Sequence, residues 1–199
     1  MISDSIDLKV NVETIMHRIN DSSIVLKKFE PIYVEDLLIF RNNPNVTRYL
    51  GGFSTGYSRQ DLLDWIQSHR GRDDEVLYAV VDTQVDRCVG HVGLYQIDCH
   101  SRKAEFAILL GLEEYQGKGL GEAISRIVLE YGFKELNLNK ITLSVISTNM
   151  RAIHLYEKLG FSVEGRLRQE IWRGGEYLDL ILMSILQSEW AHGVGFHRQ

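Results

Sequence analysis

The stretch EYQGKGLGEAISRIVLEYGF, residues 114–133, joins a glycine-rich turn to a strongly periodic pattern. Gly117, Gly119 and Gly121 alternate, and apolar residues then recur at intervals of three and four. That spacing predicts an amphipathic helix with one buried face. Glycines before a helix let backbone N–H groups approach an anion, and the helix N-terminus adds partial positive charge. The stretch therefore predicts an anion site, with a tight connection that binds nothing as the alternative.

The glycine spacing decides between phosphate-binding patterns. The pattern GxxxxGK[ST] fails because Leu112 stands where its first glycine belongs. The pattern GxGxxG fails because Glu122 occupies its last position. The spacing that fits is Gln-x-x-Gly-x-Gly, formed by Gln116, Gly119 and Gly121.

A second motif follows at residues 149–161, NMRAIHLYEKLGF. At 100° per residue Asn149 and Tyr156 share one helix stripe, whereas Arg151 and His154 are expected to point elsewhere. This predicts that the Tyr156 phenol faces inward. A core tyrosine with a satisfied hydroxyl is the alternative, and Asn149 would equally suit a helix cap.

The two motifs, in this order and at this separation, resemble those of the GCN5-related N-acetyltransferases. The resemblance covers about residues 76–185 and is strongest to the group that acetylates spermidine or ribosomal-protein N-termini. It implies an α/β (α+β) domain with a mixed, largely antiparallel sheet, splayed near Leu110 and flanked by helices. It also implies acetyl-CoA as co-substrate and direct attack by a primary amine in a ternary complex.

The resemblance assigns roles residue by residue. Tyr156 is the catalytic residue that protonates the departing CoA sulfur, and Asn149 contacts the CoA arm. Backbone groups of Leu109, Leu110 and Gly111 would meet the pantetheine. The pyrophosphate would be held by the residues of the turn: Gln116, Gly117, Lys118, Gly119, Leu120 and Gly121.

Glu105 is the second catalytic candidate. It is the one carboxylate in the apolar strand pattern of residues 104–110, where partial desolvation would suit it to accept the proton of the amine, directly or through water. An ordinary ion pair with Arg102 or Lys103 is the alternative.

The acceptor stays open between a polyamine-like small amine, a protein N-terminus and an aminosugar nucleotide. No carboxylate lies between Arg41 and Gln60, whereas a polycation favours acidic surroundings. Arg41 lies in the region expected to contact the acceptor, with a helix-surface charge as its alternative. His91 is a proton shuttle or, more simply, a structural histidine. A CoA-binding module without catalysis is the alternative for the whole chain.

The length, composition and net charge of the chain limit its domain number and its class of partner. The chain of 199 residues, with 44% hydrophobic and 25% charged residues, predicts one globular domain. We divide it into an extension (1–22), the acetyltransferase domain (23–190) and a loose tail (191–199). The net charge of −5 argues against a nucleic-acid partner.

Cofactors other than acetyl-CoA are not expected. The seven histidines are scattered, so we predict no metal site, and Cys88 and Cys99 are expected to be reduced. No apolar run is long enough to span a membrane and residues 1–22 lack a signal-peptide layout, so we expect a cytoplasmic protein. A homodimer is implied by the resemblance alone.

Overall fold

The structure is a computed structural model, and it describes residues 23–50 and 56–193. The predicted extension, residues 1–22, and positions 194–199 of the predicted tail lie outside the described residues. The last helix continues to Gly193, three residues past the predicted end of the domain at residue 190. The division into extension, domain and tail stays a prediction.

Seven strands form one sheet in the order β1-β2-β3-β4-β5-β7-β6. Every neighbouring pair is antiparallel except β4 and β5, which are parallel. This confirms the predicted mixed, largely antiparallel sheet. The strands are β1 (Ile24–Lys28), β2 (Val76–Asp82), β3 (Arg87–Asp98), β4 (Lys103–Leu110), β5 (Lys140–Ile146), β6 (Ser162–Arg173) and β7 (Glu176–Leu186).

Among residues 23–50 and 56–193, six α-helices flank the sheet, which confirms the predicted flanking helices. They are α1 (Val34–Arg41), α2 (Pro44–Thr47), α3 (Arg59–Ser68), α4 (Leu120–Lys134), α5 (Met150–Lys158) and α6 (Gln187–Gly193). Short 3₁₀ turns precede α1 at Pro31–Tyr33 and α4 at Glu113–Tyr115. Among the described residues, none of the helices has the length and apolar character needed to cross a membrane.

The two faces of the sheet carry separate cores because successive strand residues point to opposite sides. On one face, Phe106 packs in a cluster with the buried stripe of α4, including Ile124 and Val128. On the other face, Leu109 packs in a second cluster with residues of α1 and α3, including Phe40. Successive side chains of β4 therefore lie on opposite faces of the sheet, so that one strand contributes residues to both sides of the site.

The sheet opens between β4 and β5. The two strands pair over three positions only, from Lys103 opposite Lys140 to Glu105 opposite Thr142. Beyond that point β4 continues to Leu110 paired with β3 alone. The predicted splay near Leu110 thus begins earlier, directly after Glu105. The backbone edge of β4 that faces β5 is left without a strand partner over residues 106–110.

Candidate active site

The glycine-rich turn lies at the end of β4 and leads into α4. Gly117 and Gly119 both have φ of +78°, a left-handed backbone that side chains rarely adopt, and Gly119 is the N-cap of α4. The first helical hydrogen bond of this turn joins the Ala123 amide to the Gly119 carbonyl at 3.1 Å. The amides of residues 120–122 precede that bond and point toward the N-terminal end of α4. The predicted local geometry of an anion cradle is therefore present.

Gly121 lies inside the first turn of α4 and serves packing. A Cβ atom there would lie 3.5 Å from the Leu155 side chain and 3.7 Å from that of Leu110. The small residue lets α4 approach both α5 and the end of β4. This contact brings the two sequence motifs together.

Gln116 connects three elements through its side chain. Its Nε2 donates to the carbonyl of Leu110 at 3.0 Å, at the end of β4. Its Oε1 accepts from Nη1 of Arg151 at 2.8 Å, in the first turn of α5. Both ends of the amide are therefore bonded to protein, and Gln116 holds the glycine-rich turn in place.

Arg151 is a site residue that the sequence reasoning missed. The helical stripe predicted that Arg151 points away from the buried side that carries Tyr156, and its exposed side chain confirms this. Its Nη2 lies 3.9 Å from the position that a Cβ atom of Gly117 would occupy. The helical angle gave no sign of this contact, because the long arginine side chain reaches beyond the first turn of α5. The guanidinium stands beside the glycine-rich turn, exposed to solvent.

Tyr156 faces inward from α5, as predicted. It is only 8% exposed and packs against Phe106 and Phe161, with ring centroids 6.4 and 5.9 Å away. Among the described residues no hydrogen-bond partner or charge acts on its hydroxyl, and burial alone shifts its pKa. Burial raises the pKa of Tyr156 to about 12, so the phenol is protonated at neutral pH.

Asn149 caps α5 with its side chain. Its Oδ1 accepts a hydrogen bond from the Ala152 amide at 3.3 Å. The capping role that the sequence left open is therefore present. The helix begins at Met150 directly after this cap.

Glu105 lies at the point where β4 and β5 separate. It pairs with Tyr95 of β3 and Thr142 of β5, and it is half-buried. The neighbouring Phe106 contacts Tyr156, so Glu105 points to the opposite face of the sheet. Among the described residues it forms no ion pair with Arg102, whose guanidinium donates instead to Asn137. Glu105 and Tyr156 thus flank the opening from its two faces.

Arg41 and His91 meet on the face that carries Glu105. Nη2 of Arg41 donates to Nε2 of His91 at 2.9 Å, and the guanidinium lies over the ring of Trp65, 4.9 Å from its centroid. The alternative of a plain surface charge for Arg41 is wrong, because its Nε is sealed from water and burial lowers the pKa of Arg41. Burial also holds the pKa of His91 well below its usual value. The residues lie 50 positions apart, and no short-range pattern links them.

Comparisons with known proteins agree with this geometry. The family model described as an acetyltransferase (GNAT) domain matches residues 23–162. A spermidine N(1)-acetyltransferase of Escherichia coli (strain K12) is 38% identical over 167 residues, which cover 82% of this chain and 87% of that protein. A spermidine N(1)-acetyltransferase of Vibrio cholerae is 34% identical over 170 residues, covering 85% and 96%.

A solved structure of the Vibrio cholerae spermidine N-acetyltransferase, in complex with CoA and spermine, superposes with a TM-score of 0.77. It is 34% identical to this chain and covers 85% of it and 98% of its own length. The family model over residues 23–162, and relatives that are 34–38% identical over more than four-fifths of the chain, identify the family. The chain belongs to the GNAT acetyltransferases and is an acetyl-CoA-dependent N-acetyltransferase.

Proposed function

We propose that this enzyme acetylates the primary amine of a small, linear acceptor similar in shape to the polyamines. The spermidine acetyltransferases that resemble it over more than four-fifths of the chain support a small amine. The observation that carries the proposal is the arrangement around the opening between β4 and β5. A glycine-rich turn stands at one end, Tyr156 on one face and Glu105 on the other.

In this proposal acetyl-CoA enters along the free edge of β4. Amides ahead of α4 receive the pyrophosphate, with the N-terminal charge of the helix and the exposed Lys118 adding attraction. The Gly111 amide donates to the Val89 carbonyl of β3 at 2.9 Å, so the backbone groups on the open side of β4 are those of the alternate residues 106, 108 and 110. In this proposal those groups pair with the amides of the pantetheine as a neighbouring strand would. The Leu110 carbonyl already accepts from Gln116, so we assign it to the support of the turn.

The reaction uses the two faces of the opening. Glu105 accepts the proton of the attacking ammonium, directly or through water, so that the neutral amine attacks the thioester carbon. Tyr156 donates its proton to the CoA sulfur as the carbon–sulfur bond breaks, and the second proton of the attacking nitrogen returns to the phenolate through water as the amide forms. Its hydroxyl suits this role because it is protonated and no described group acts on it as a hydrogen-bond partner. The nearby Asn149 sets the start of α5 and thereby the position of Tyr156.

An acceptor screen that follows CoA thiol release tests the proposed function. We expect linear small amines to release thiol faster than aminosugar nucleotides or N-terminal peptides. A peptide or aminosugar nucleotide as the fastest acceptor would replace the proposed class. Thiol release with none of them, from folded enzyme that binds CoA, would favour a binding module without catalysis.

Arg151 gives the first mutational prediction. We expect Arg151→Met to weaken CoA binding about tenfold, because it removes a charged hydrogen-bond donor beside the pyrophosphate turn and releases Gln116. Titration calorimetry with CoA measures the change. Lys158→Met is the matched control, since Lys158 lies on the same helix and pairs with Glu122. Equal losses in both variants would mean that only net charge matters.

We also propose that the chain forms a homodimer and is cytoplasmic. Four large hydrophobic residues of the hairpin β6–β7 are exposed, and a second copy of the chain could cover them: Val163, Leu167, Trp172 and Tyr177. A homodimer therefore stays a prediction. The cytoplasmic location expected from the sequence also stays a prediction.

A further inference from the structure

The Arg41–His91 pair places a cation where the described residues supply no ion-pair partner. Arg41 ends α1 and contacts the His91 ring and the Trp65 ring, with Tyr57 and Tyr95 also nearby. Over the described residues, no carboxylate lies within ion-pairing distance of this guanidinium. Tyr57 also forms a side-chain hydrogen bond with the guanidinium, and the carboxylates of Glu75 and Glu105 act on the neighbouring Tyr95. A partly buried charge without an ion-pair partner is costly unless another group balances it.

The hydrogen-bonding pattern leaves two N–H donors without partners. A guanidinium can only donate, so Nε2 of His91 must be the accepting nitrogen of their 2.9 Å bond. His91 is neutral, and its proton therefore resides on Nδ1. Both His91 Nδ1 and Arg41 Nε are buried and bonded to nothing. Buried donors are almost always satisfied, so these two point to a missing acceptor atom.

The position of the pair links it to the acceptor side of the reaction. On β3, His91 lies opposite Leu109 of β4, and Tyr95 lies opposite Glu105. Side chains two and four positions apart share one face, so His91 and Glu105 face the same side of the sheet. Their levels along the strands differ by four residues, roughly 13 Å. Arg41 acts electrostatically on Tyr95, the residue opposite Glu105, so the guanidinium lies toward the Glu105 end of that interval.

We propose that Arg41 and His91 form a carboxylate-binding subsite, so that the preferred acceptor is a linear amine with a carboxylate at its far end. This inference rests on the proposed function and refines its acceptor. A carboxylate supplies two oxygens in the plane that a guanidinium fork recognises. The second ammonium of a polyamine would instead approach the fixed charge of Arg41 and be repelled. The subsite would therefore separate this enzyme from the spermidine acetyltransferases that it resembles.

The test compares ε-aminocaproate with cadaverine, which share the same methylene chain and differ in the charge of the far end. We expect the wild-type enzyme to acetylate ε-aminocaproate at least tenfold more efficiently in kcat/KM. Arg41→Met keeps an apolar side chain on Trp65 and removes the charge. It should lose that preference, with a raised KM for ε-aminocaproate and little change in kcat, while cadaverine turnover holds or improves.

Arg59→Met is the control, because Arg59 lies on exposed α3 surface and carries the same charge. It should keep the wild-type preference. Calorimetry of ε-aminocaproate with the CoA complex provides a readout that needs no turnover, and binding should be lost in Arg41→Met only. A wild-type preference for cadaverine, or equal binding by Arg41→Met, would overturn the subsite. In the first case the proposed amine acetylation would still stand. Binding without thiol release would instead refute the proposed function and keep the subsite.

Discussion

Tyr156→Phe should reduce kcat for acetyl transfer about a hundred-fold, or about 2.7 kcal/mol of barrier. The change removes one oxygen and keeps the ring that packs against Phe106 and Phe161. Among the described residues no hydrogen-bond partner acts on that oxygen, so its loss leaves no partner unsatisfied. The stability of the variant should therefore equal that of the wild type, and the loss should appear in the chemical step. Stopped-flow measurement of thiol release, together with a thermal melt, checks both statements.

Two further measurements separate a proton donor from a packing residue. The Kd for CoA should be nearly unchanged in Tyr156→Phe, since the proposed contact forms only as the sulfur leaves. With an acetyl thioester of a more acidic thiol, Tyr156→Phe should lower the rate less than it does with acetyl-CoA. Such a thiolate leaves more readily without being protonated. Turnover equal to that of the wild type on acetyl-CoA would remove Tyr156 from the mechanism.

The protonation state of Tyr156 also predicts how kcat depends on pH. The raised pKa of Tyr156, about 12, keeps the donor protonated through mildly alkaline conditions. Loss of activity by deprotonation of this phenol should therefore begin only well above pH 10, the ordinary tyrosine value. The amine acceptor becomes more neutral over the same range, so kcat/KM should rise from neutral to mildly alkaline pH.

The sequence predicted those parts of the site whose conformation depends on residues close together in the chain. The three- and four-residue spacing of apolar residues predicts helix α4, and the glycines before it allow the left-handed backbone of its N-cap, Gly119. Asn149 and Tyr156 lie on one short helix, so their shared stripe was readable from spacing. In each case neighbours within a few positions decide the conformation.

The parts that the sequence did not reveal depend on contacts between distant segments. The opening begins after Glu105 because only three positions of β4 and β5 pair, which no single-strand pattern encodes. Arg151 reaches Gln116 across 35 positions, and Arg41 reaches His91 across 50. The position of a residue on a helix determines only the direction in which its side chain leaves the backbone. The charged end of a long, flexible side chain binds a partner that the tertiary fold places nearby.

Gly90→Ala should lower the free energy of unfolding by about 3 kcal/mol. Gly90 lies on β3 opposite Leu110, and an added Cβ atom would stand 2.2 Å from the Leu109 carbonyl oxygen. It would also lie 3.1 Å from the Leu110 Cα, so the obstacle is backbone and cannot rotate away. Strands β3 and β4 would have to separate at the end of β4. Denaturant unfolding followed by tryptophan fluorescence measures the loss.

The same displacement should reach the active site, because residues 109–110 belong to the free edge of β4 that we assign to the pantetheine. We therefore expect Gly90→Ala to weaken CoA binding even under conditions where the variant is folded. Gly165→Ala is the matched control, since nothing lies within 4 Å of its added Cβ atom and its backbone is not left-handed. It should change stability by less than about 0.5 kcal/mol. Equal unfolding midpoints for the two variants would mean that β3 and β4 can part without cost, which their close backbone contact argues against.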